Sequence, residues 1–112
     1  MSVYLGILLF LIGQVVGWFS MNIQFLSEWW QSKPLLTAIL MGTPTSICFW
    51  YAYKAIVTST DSAWTARFIG SSTGLIVFPI LTWYFLGESM FTTKTMLCFS
   101  LAVLIIMIQI LY

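Results

Sequence analysis

The chain has 112 residues, of which 61% are apolar and only 6% are Lys, Arg, Asp or Glu, with a net charge of +1. A soluble domain contains about 25% charged residues, because its surface must face water. The composition therefore excludes a soluble fold and predicts an all-α integral membrane protein.

The same composition argues against several functions. Nucleic-acid binding needs a basic patch, and four basic residues against three acidic ones do not supply one. The chain has no His, and its carboxylates, Glu28, Asp61 and Glu88, are far apart in sequence. General acid–base catalysis and metal binding both rely on such groups. We therefore expect neither an enzyme nor a metal or cofactor site.

Four apolar stretches follow one another along the chain, each near the roughly 20 residues that a membrane-spanning helix needs. We predict a single four-helix membrane domain over residues 1–112, with helices at about 3–26, 35–54, 62–86 and 94–112. Short connections favour neighbouring helices that run in opposite directions. The predicted architecture is an antiparallel bundle with both chain ends on the same side of the membrane.

The first predicted helix has a polar residue, Gln14, near its centre. An unmet amide in lipid costs several kcal/mol, so Gln14 either forms a hydrogen bond between helices or faces a central cavity. Gly13 and Gly17 flank it at a spacing typical of close helix packing in membranes. The alternative is that these small residues leave room for a ligand. Paired tryptophans, Trp29 and Trp30, then mark the membrane interface.

The second predicted helix contains Pro44, which removes one backbone donor near mid-helix. Neighbouring hydroxyl groups, such as that of Thr45, can satisfy the freed carbonyl. Lys54 and the aromatic residues around it indicate the exit into the interface. We expect a link over residues 55–61, with Asp61 or Ser62 as the N-cap of the next helix.

The third predicted helix contains Arg67, the strongest functional signal of the sequence. It stands about 8 Å into the helix, and its guanidinium cannot lose its proton. The side chain either extends to lipid headgroups or faces a hydrated cavity that attracts an anionic group. Gly70 and Gly74 repeat the small-residue spacing around Ser71 and Ser72, where the same two readings apply.

Two tryptophans and two cysteines remain open to more than one interpretation. Trp18 and Trp64 can line a cavity and stack on a ligand, or simply pack. We include Trp64 among the candidate cavity residues. Cys48 and Cys98 lie in apolar stretches and are expected to be free, buried side chains, a disulfide being the alternative.

The basic residues give no clear membrane orientation. Lys33 and Lys94 fall on one predicted side and Lys54 on the other, joined by Arg67 if its side chain extends that way. The positive-inside rule therefore has almost no bias on which to act. Insertion in both orientations would permit an antiparallel dimer; the alternative is that another factor fixes a single orientation.

The stretch from Ser71 to Glu88, ending in Tyr-Phe-Leu-Gly-Glu, resembles the end of the third helix in small multidrug resistance proteins of the drug/metabolite transporter superfamily. The likeness covers about residues 60–112, and over 1–59 it rests on length and helix order. It implies a homodimer, often antiparallel, in a bacterial inner membrane. Helices 1 to 3 would line a substrate pocket, helix 4 would hold the dimer together, and transport would occur by alternating access.

One departure from this family changes the expected substrate. The drug–proton antiporters rely on a glutamate in helix 1, and the corresponding position here is Gln14, which cannot carry a proton. Arg67 also stands where those antiporters have an aromatic pocket residue. A small neutral or anionic substrate, including a lipid-linked one, suits Gln and Arg better than a hydrophobic cation. The expected substrate-binding residues are Gln14, Trp64, Arg67, Ser71 and Ser72, and the expected packing residues are Gly13, Gly17, Gly70 and Gly74.

The alternative to a transporter is a non-transporting subunit of a larger membrane protein complex. In that case, the same small residues would form contact surfaces with other proteins, and no aqueous cavity would be needed.

Overall fold

The computed structural model describes residues 2–111, of which 89% are helical and none belong to a strand. The helices are α1 (Val3–Leu26), α2 (Glu28–Gln31), α3 (Pro34–Thr60), α4 (Ala63–Leu86) and α5 (Thr93–Leu111). All except the short α2 are long and apolar enough to cross a membrane. The all-helical prediction is confirmed, and the four long helices fit an integral membrane protein.

The helix bounds differ from the predicted ones mainly at the end of α3. α1 spans the predicted residues, and α4 and α5 each begin within one residue of the predicted start. The predicted last residue of the fourth helix, 112, lies outside the described residues. α3, however, continues to Thr60 instead of ending near residue 54, so only Asp61 and Ser62 connect it to α4.

Three consecutive hydroxyl residues explain the extension of α3. Thr58, Ser59 and Thr60 each donate a hydrogen bond to the carbonyl oxygen four residues earlier, at 2.7–2.8 Å. Such side chains favour caps and turns when they bond to non-helical backbone. Here all three hydroxyl groups donate to carbonyl oxygens of their own helix, so these polar residues remain helical.

The two connecting residues have separate roles at the junction. Asp61 ends α3 in the left-handed conformation, with φ 54°, and its backbone N–H donates to the carbonyl of Val57 at 2.8 Å. The hydroxyl oxygen of Ser62 accepts a hydrogen bond from the backbone N–H of Thr65 at 3.1 Å. Ser62 is therefore the N-cap of α4, and Asp61 is the C-cap of α3.

Both proline-containing helices include a wide π-helical turn. In α3 this turn covers Ala38–Gly42, just before Pro44. The hydroxyl of Thr45 donates to the carbonyl of Met41 at 2.8 Å, and not to that of Leu40, which Pro44 leaves without its usual donor.

In α4 the π-helical turn follows the proline. Pro79 lies inside the helix, and the turn covers Thr82–Leu86. Gly87 then ends α4 with φ 75°. Gly87 is thus the C-cap of α4, since this conformation favours a residue without a side chain.

The long helices form a three-helix core with a fourth helix at its edge. α1 contacts α3 and α4, α3 contacts α4, and α5 packs mainly against α4. The Cα atoms occupy 45 × 35 × 16 Å, so the molecule is about two helices thick. Only 6% of the apolar stretch of α5 is buried, against 22% for α1 and for α4. Most of the surface of α5 therefore has no partner within the described part of the chain.

This edge position corrects one expectation about the cysteines. Both are free, as expected, but only Cys48 is partly buried. Cys98 is exposed because it lies on α5, which contacts the rest of the protein along one side only.

The glycines of α1 and α4 serve close packing between helices. A Cβ atom on Gly13 would lie 2.6 Å from the ring of Phe49 in α3, and one on Gly70 would lie 2.9 Å from the ring of Phe10 in α1. Gly6 makes a similar approach, with the side chain of Ile56 filling the space. Gly17 faces Thr45 more loosely, at 3.4 Å.

Candidate functional site

Gln14 connects α1 to α4 near the middle of both helices. Its Nε2 donates a hydrogen bond to the carbonyl oxygen of Gly70 at 2.9 Å and lies 3.5 Å from the hydroxyl of Thr73. The Thr73 hydroxyl donates to the same carbonyl at 2.8 Å. A Cβ on Gly74 would stand only 3.0 Å from Oε1 of Gln14, so the missing side chain makes room for the amide.

The other end of the Gln14 amide is available to a ligand. Oε1 accepts no hydrogen bond from the described residues, yet it is not a buried, unsatisfied atom. Gln14 lines two neighbouring cavities. The two roles considered for Gln14 are therefore combined, because its nitrogen binds another helix while its oxygen stays accessible.

A cavity of about 300 Å³ lies between α1, α3 and α4. Its lining consists of Phe10, Gln14, Phe49, Tyr53, Ala66, Arg67, Gly70 and Ser71. The side chain of Arg67 is exposed and makes no hydrogen bond or ion pair with any other described residue. A permanent positive charge thus lines the cavity without a carboxylate to neutralise it.

Ser71 adds an unused hydroxyl group to this cavity. Several helical hydroxyls of the protein, including those of Thr45, Thr58 and Ser100, donate to a carbonyl oxygen of their own helix. Ser71 makes no such bond with the described residues. The cavity therefore offers guanidinium and hydroxyl donors and one amide acceptor, which is the chemistry that recognises a polar neutral or anionic group.

Two of the residues expected in the site lie elsewhere. Ser72 is 1% exposed, because successive helical residues are about 100° apart and the next position after Ser71 turns into the packing. Trp64 is 73% exposed in the first turn of α4, where its ring stacks on Phe68 at 5.9 Å between centroids. Neither residue lines the cavity that contains Gln14, Arg67 and Ser71.

Trp18 belongs to the packing of the protein. It is fully buried, and its Nε1 donates to the hydroxyl of Thr82 at 3.0 Å. Its ring packs against Phe19 and Phe85, with centroids 5.1 and 5.5 Å away. Of the two readings for Trp18, packing is the one that the structure shows.

Several cavity residues were not expected from the sequence. Phe10 stands one helical turn before Gln14, and Phe49 and Tyr53 form an i, i+4 pair on α3. Tyr53 was assigned to the membrane interface because Lys54 follows it. The i, i+4 spacing could have identified these residues. Phe10 and Gln14, Phe49 and Tyr53, and Arg67 and Ser71 are three pairs with this spacing, one on each helix of the cavity.

No group of three or more Cys, Asp or Glu side chains within residues 2–111 is arranged to bind a metal ion.

Comparisons of the chain with protein family models, with curated proteins and with solved structures found no match in any of the three. The resemblance to small multidrug resistance proteins therefore stays a prediction, and the function must be argued from the site itself.

Proposed function

We propose that the protein is a small membrane transporter, similar to the four-helix members of the drug/metabolite transporter superfamily, that moves a small neutral or anionic substrate. The observation on which this proposal depends is the unpaired guanidinium of Arg67 on the lining of a 300 Å³ cavity. A charge within a membrane helix is costly and commonly marks a substrate or ion pathway. The accessible oxygen of Gln14 and the hydroxyl of Ser71 would supply the remaining polar contacts.

The absence of a carboxylate in this cavity favours an anionic or neutral substrate over a cation. Arg67 can form two parallel hydrogen bonds to a phosphate or carboxylate group. The rings of Phe10 and Phe49, which lie 5.6 Å apart, supply apolar surface beside it. This combination suits an amphipathic substrate, including one linked to a lipid.

The proposed working unit is a homodimer, with the long helices of each protomer forming an antiparallel bundle. α5 supports this, because it offers a nearly complete apolar surface that α4 does not cover. Alternating access would follow from exchange between two arrangements of the protomers. The balanced basic residues permit opposite insertion of the two protomers, in a bacterial inner membrane if the family resemblance applies.

Transport can be measured with the purified protein in liposomes, with radiolabelled glycerol 3-phosphate as an anionic probe and glycerol as a neutral one. We expect Arg67→Ala to reduce uptake of the anionic probe about tenfold or more, because a hydrogen bond to a charged group contributes at least this much. Arg67→Lys should retain part of the wild-type uptake of the anionic probe. Uptake that is equal in wild type and Arg67→Ala would remove Arg67 from the mechanism.

The alternative, a non-transporting subunit of a larger complex, makes different predictions. It requires stable co-purification with other membrane proteins and no flux of either probe. Crosslinking of α5 residues between two copies in native membranes would favour the homodimer, and crosslinking of the same residues to a different protein would favour the subunit.

A further inference from the structure

Three neighbouring cavities follow one another along α4. The cavity at Arg67 shares Gln14 and Ser71 with a second cavity, also of about 300 Å³. The second shares Leu75 and Phe78 with a third, of about 330 Å³, which ends at Glu88. We call these three adjoining cavities the α4 groove.

The α4 groove follows a broad stripe of the helix. The α4 positions that line it are 66, 67, 70, 71, 74, 75, 78, 79 and 82, which recur every three or four residues and together cover more than half of the helix circumference at about 100° per residue. From Arg67 to the end of α4 the helical rise is about 30 Å, so the groove runs along most of the helix. Ser71 and Leu75, where the cavities join, are exposed, so the groove is open sideways to the surrounding lipid.

Polar groups with unused bonding capacity are distributed along this groove. The hydroxyl of Ser71 and Oε1 of Gln14 have no partner among the described residues. The oxygen of Thr82 accepts from Trp18, but its own proton is not donated to any described group. A polar headgroup moving along α4 would therefore meet a new hydrogen-bonding group about every one to two helical turns.

The two ends of the groove have opposite charge. Arg67 stands at one end, and the adjoining cavity, which shares Phe49 and Tyr53 with it, adds Lys54. Glu88 stands at the other end, together with Ser89. Glu88 and Arg67 have no ion-pair or hydrogen-bond partner among the described residues, so both charges are free to bind a ligand.

We propose that the α4 groove conducts the headgroup of a zwitterionic phospholipid, of the ethanolamine type, while the acyl chains remain in the bilayer. The inference rests on the proposed transport function and names its substrate class. The phosphate would bind at Arg67, and the ammonium would bind at Glu88. A purely anionic headgroup would find its partner at Arg67 but would be repelled by Glu88, so the charge pattern favours a headgroup with both signs.

The test uses the full-length protein in phosphatidylcholine vesicles that contain a trace of acyl-chain-labelled phosphatidylethanolamine or phosphatidylglycerol. Dithionite destroys fluorophores in the outer leaflet only, so loss of inner-leaflet signal measures movement across the membrane. We expect wild type to move the ethanolamine lipid faster than the glycerol lipid. Vesicles without protein give the background.

Substitutions separate the groove from other routes. Arg67→Ala should slow both lipids about tenfold or more. Glu88→Gln should slow the ethanolamine lipid alone. Ser71→Phe, at an exposed position, should block the junction of the first two cavities without disturbing the packing. Lys94→Ala and Thr43→Phe are the matched controls, since both residues are exposed and neither lines the groove, and both should leave the rates unchanged.

The outcomes distinguish this inference from the transport proposal itself. Lipid movement with the pattern above supports it. Arg67-dependent uptake of glycerol 3-phosphate without lipid movement overturns the lipid path and leaves the transporter in place, whereas no flux of either kind overturns both. Lipid movement that Ser71→Phe does not slow, or a high-yield disulfide between two copies of a Leu75→Cys variant, also overturns it, because the path then lies elsewhere or a second copy covers the groove.

Discussion

The amide nitrogen of Gln14 lies 2.9 Å from the carbonyl oxygen of Gly70, and this contact joins α1 to α4 across 56 positions of sequence. The same residues line the cavity that contains Arg67. The polar group that stabilises the helix pair is thus also the group that faces the candidate substrate site. Stability and ligand contact can be separated experimentally, because only the nitrogen of the amide is used between helices.

Replacing Gln14 with Leu should lower the free energy of unfolding by about 1 kcal/mol, a modest value because Gly70 keeps its bond from Thr73 at 2.8 Å. Unfolding by SDS in mixed micelles measures the change. Gln109→Leu is the matched control, since Gln109 on α5 is half-buried and has no partner among the described residues. Equal losses in the two variants would contradict the assigned hydrogen bond.

The hydrogen bond from Trp18 to Thr82 should contribute about 1 kcal/mol to the attachment of α1 to the end of α4. We expect Trp18→Phe and Thr82→Val each to destabilise the protein, and the double variant to lose less than the sum of the two. A double-mutant cycle by SDS unfolding tests this coupling. Trp64→Phe, at a position that is 73% exposed, should have no effect, and strictly additive losses at Trp18 and Thr82 would argue against the bond.

Gly6→Ala should destabilise the α1–α3 contact by about 1–3 kcal/mol. The added Cβ would lie 3.0 Å from the carbonyl oxygen of Ala52 and would collide with the side chain of Ile56. Gly42→Ala provides the control, because no atom lies within 4 Å of its added Cβ and alanine favours a helix. In detergent, the thermal unfolding midpoint of Gly6→Ala should be lower than those of Gly42→Ala and wild type. A Gly6→Ala protein as stable as wild type would mean that α1 and α3 are farther apart.

Cysteine labelling should distinguish Ser71 from its neighbour Ser72. In a background with Cys48 and Cys98 replaced by Ala, Ser71→Cys should react readily with a charged thiol reagent, because the side chain faces the cavity. Ser72→Cys should react only after denaturation, since Ser72 is 1% exposed. The reverse order would mean that α4 is rotated relative to the structure, and protection of both positions would remove the water-accessible cavity.

The bounds of the helices follow largely from composition, and the exception has a local cause. The apolar run of α1 and the glycine after α4 gave the predicted ends correctly. α3 was predicted too short because Lys54 and the aromatic residues around it indicated the exit into the interface, whereas the hydroxyl residues after them continue the helix. Whether Thr58, Ser59 and Thr60 donate to their own helix depends on the side-chain rotamers, and the pattern of letters does not reveal them.

The polar residues of the candidate site could be predicted from the sequence, but the helices that they contact could not. Gln14 and Arg67 stand out because polar groups are rare in apolar helices, and the structure brings them to one cavity. The glycine spacing indicates close approach, but it does not say which helix approaches. Gly13 faces α3 and Gly70 faces α1, which depends on the rotation of each helix about its axis.

The close contacts at Gly6 and Gly13 of α1 limit how this helix can move against α3. The side chains of Ile56 and Phe49 from α3 occupy the spaces left by Gly6 and Gly13, so a shift of one residue would drive both into larger neighbours. α1 and α3 should therefore move together as a rigid unit in any conformational change. A bend is accommodated most easily in the second half of α4, where Pro79 and the wide turn at Thr82–Leu86 interrupt the regular backbone hydrogen bonding, and the bond from Trp18 to Thr82 holds that helix end to α1.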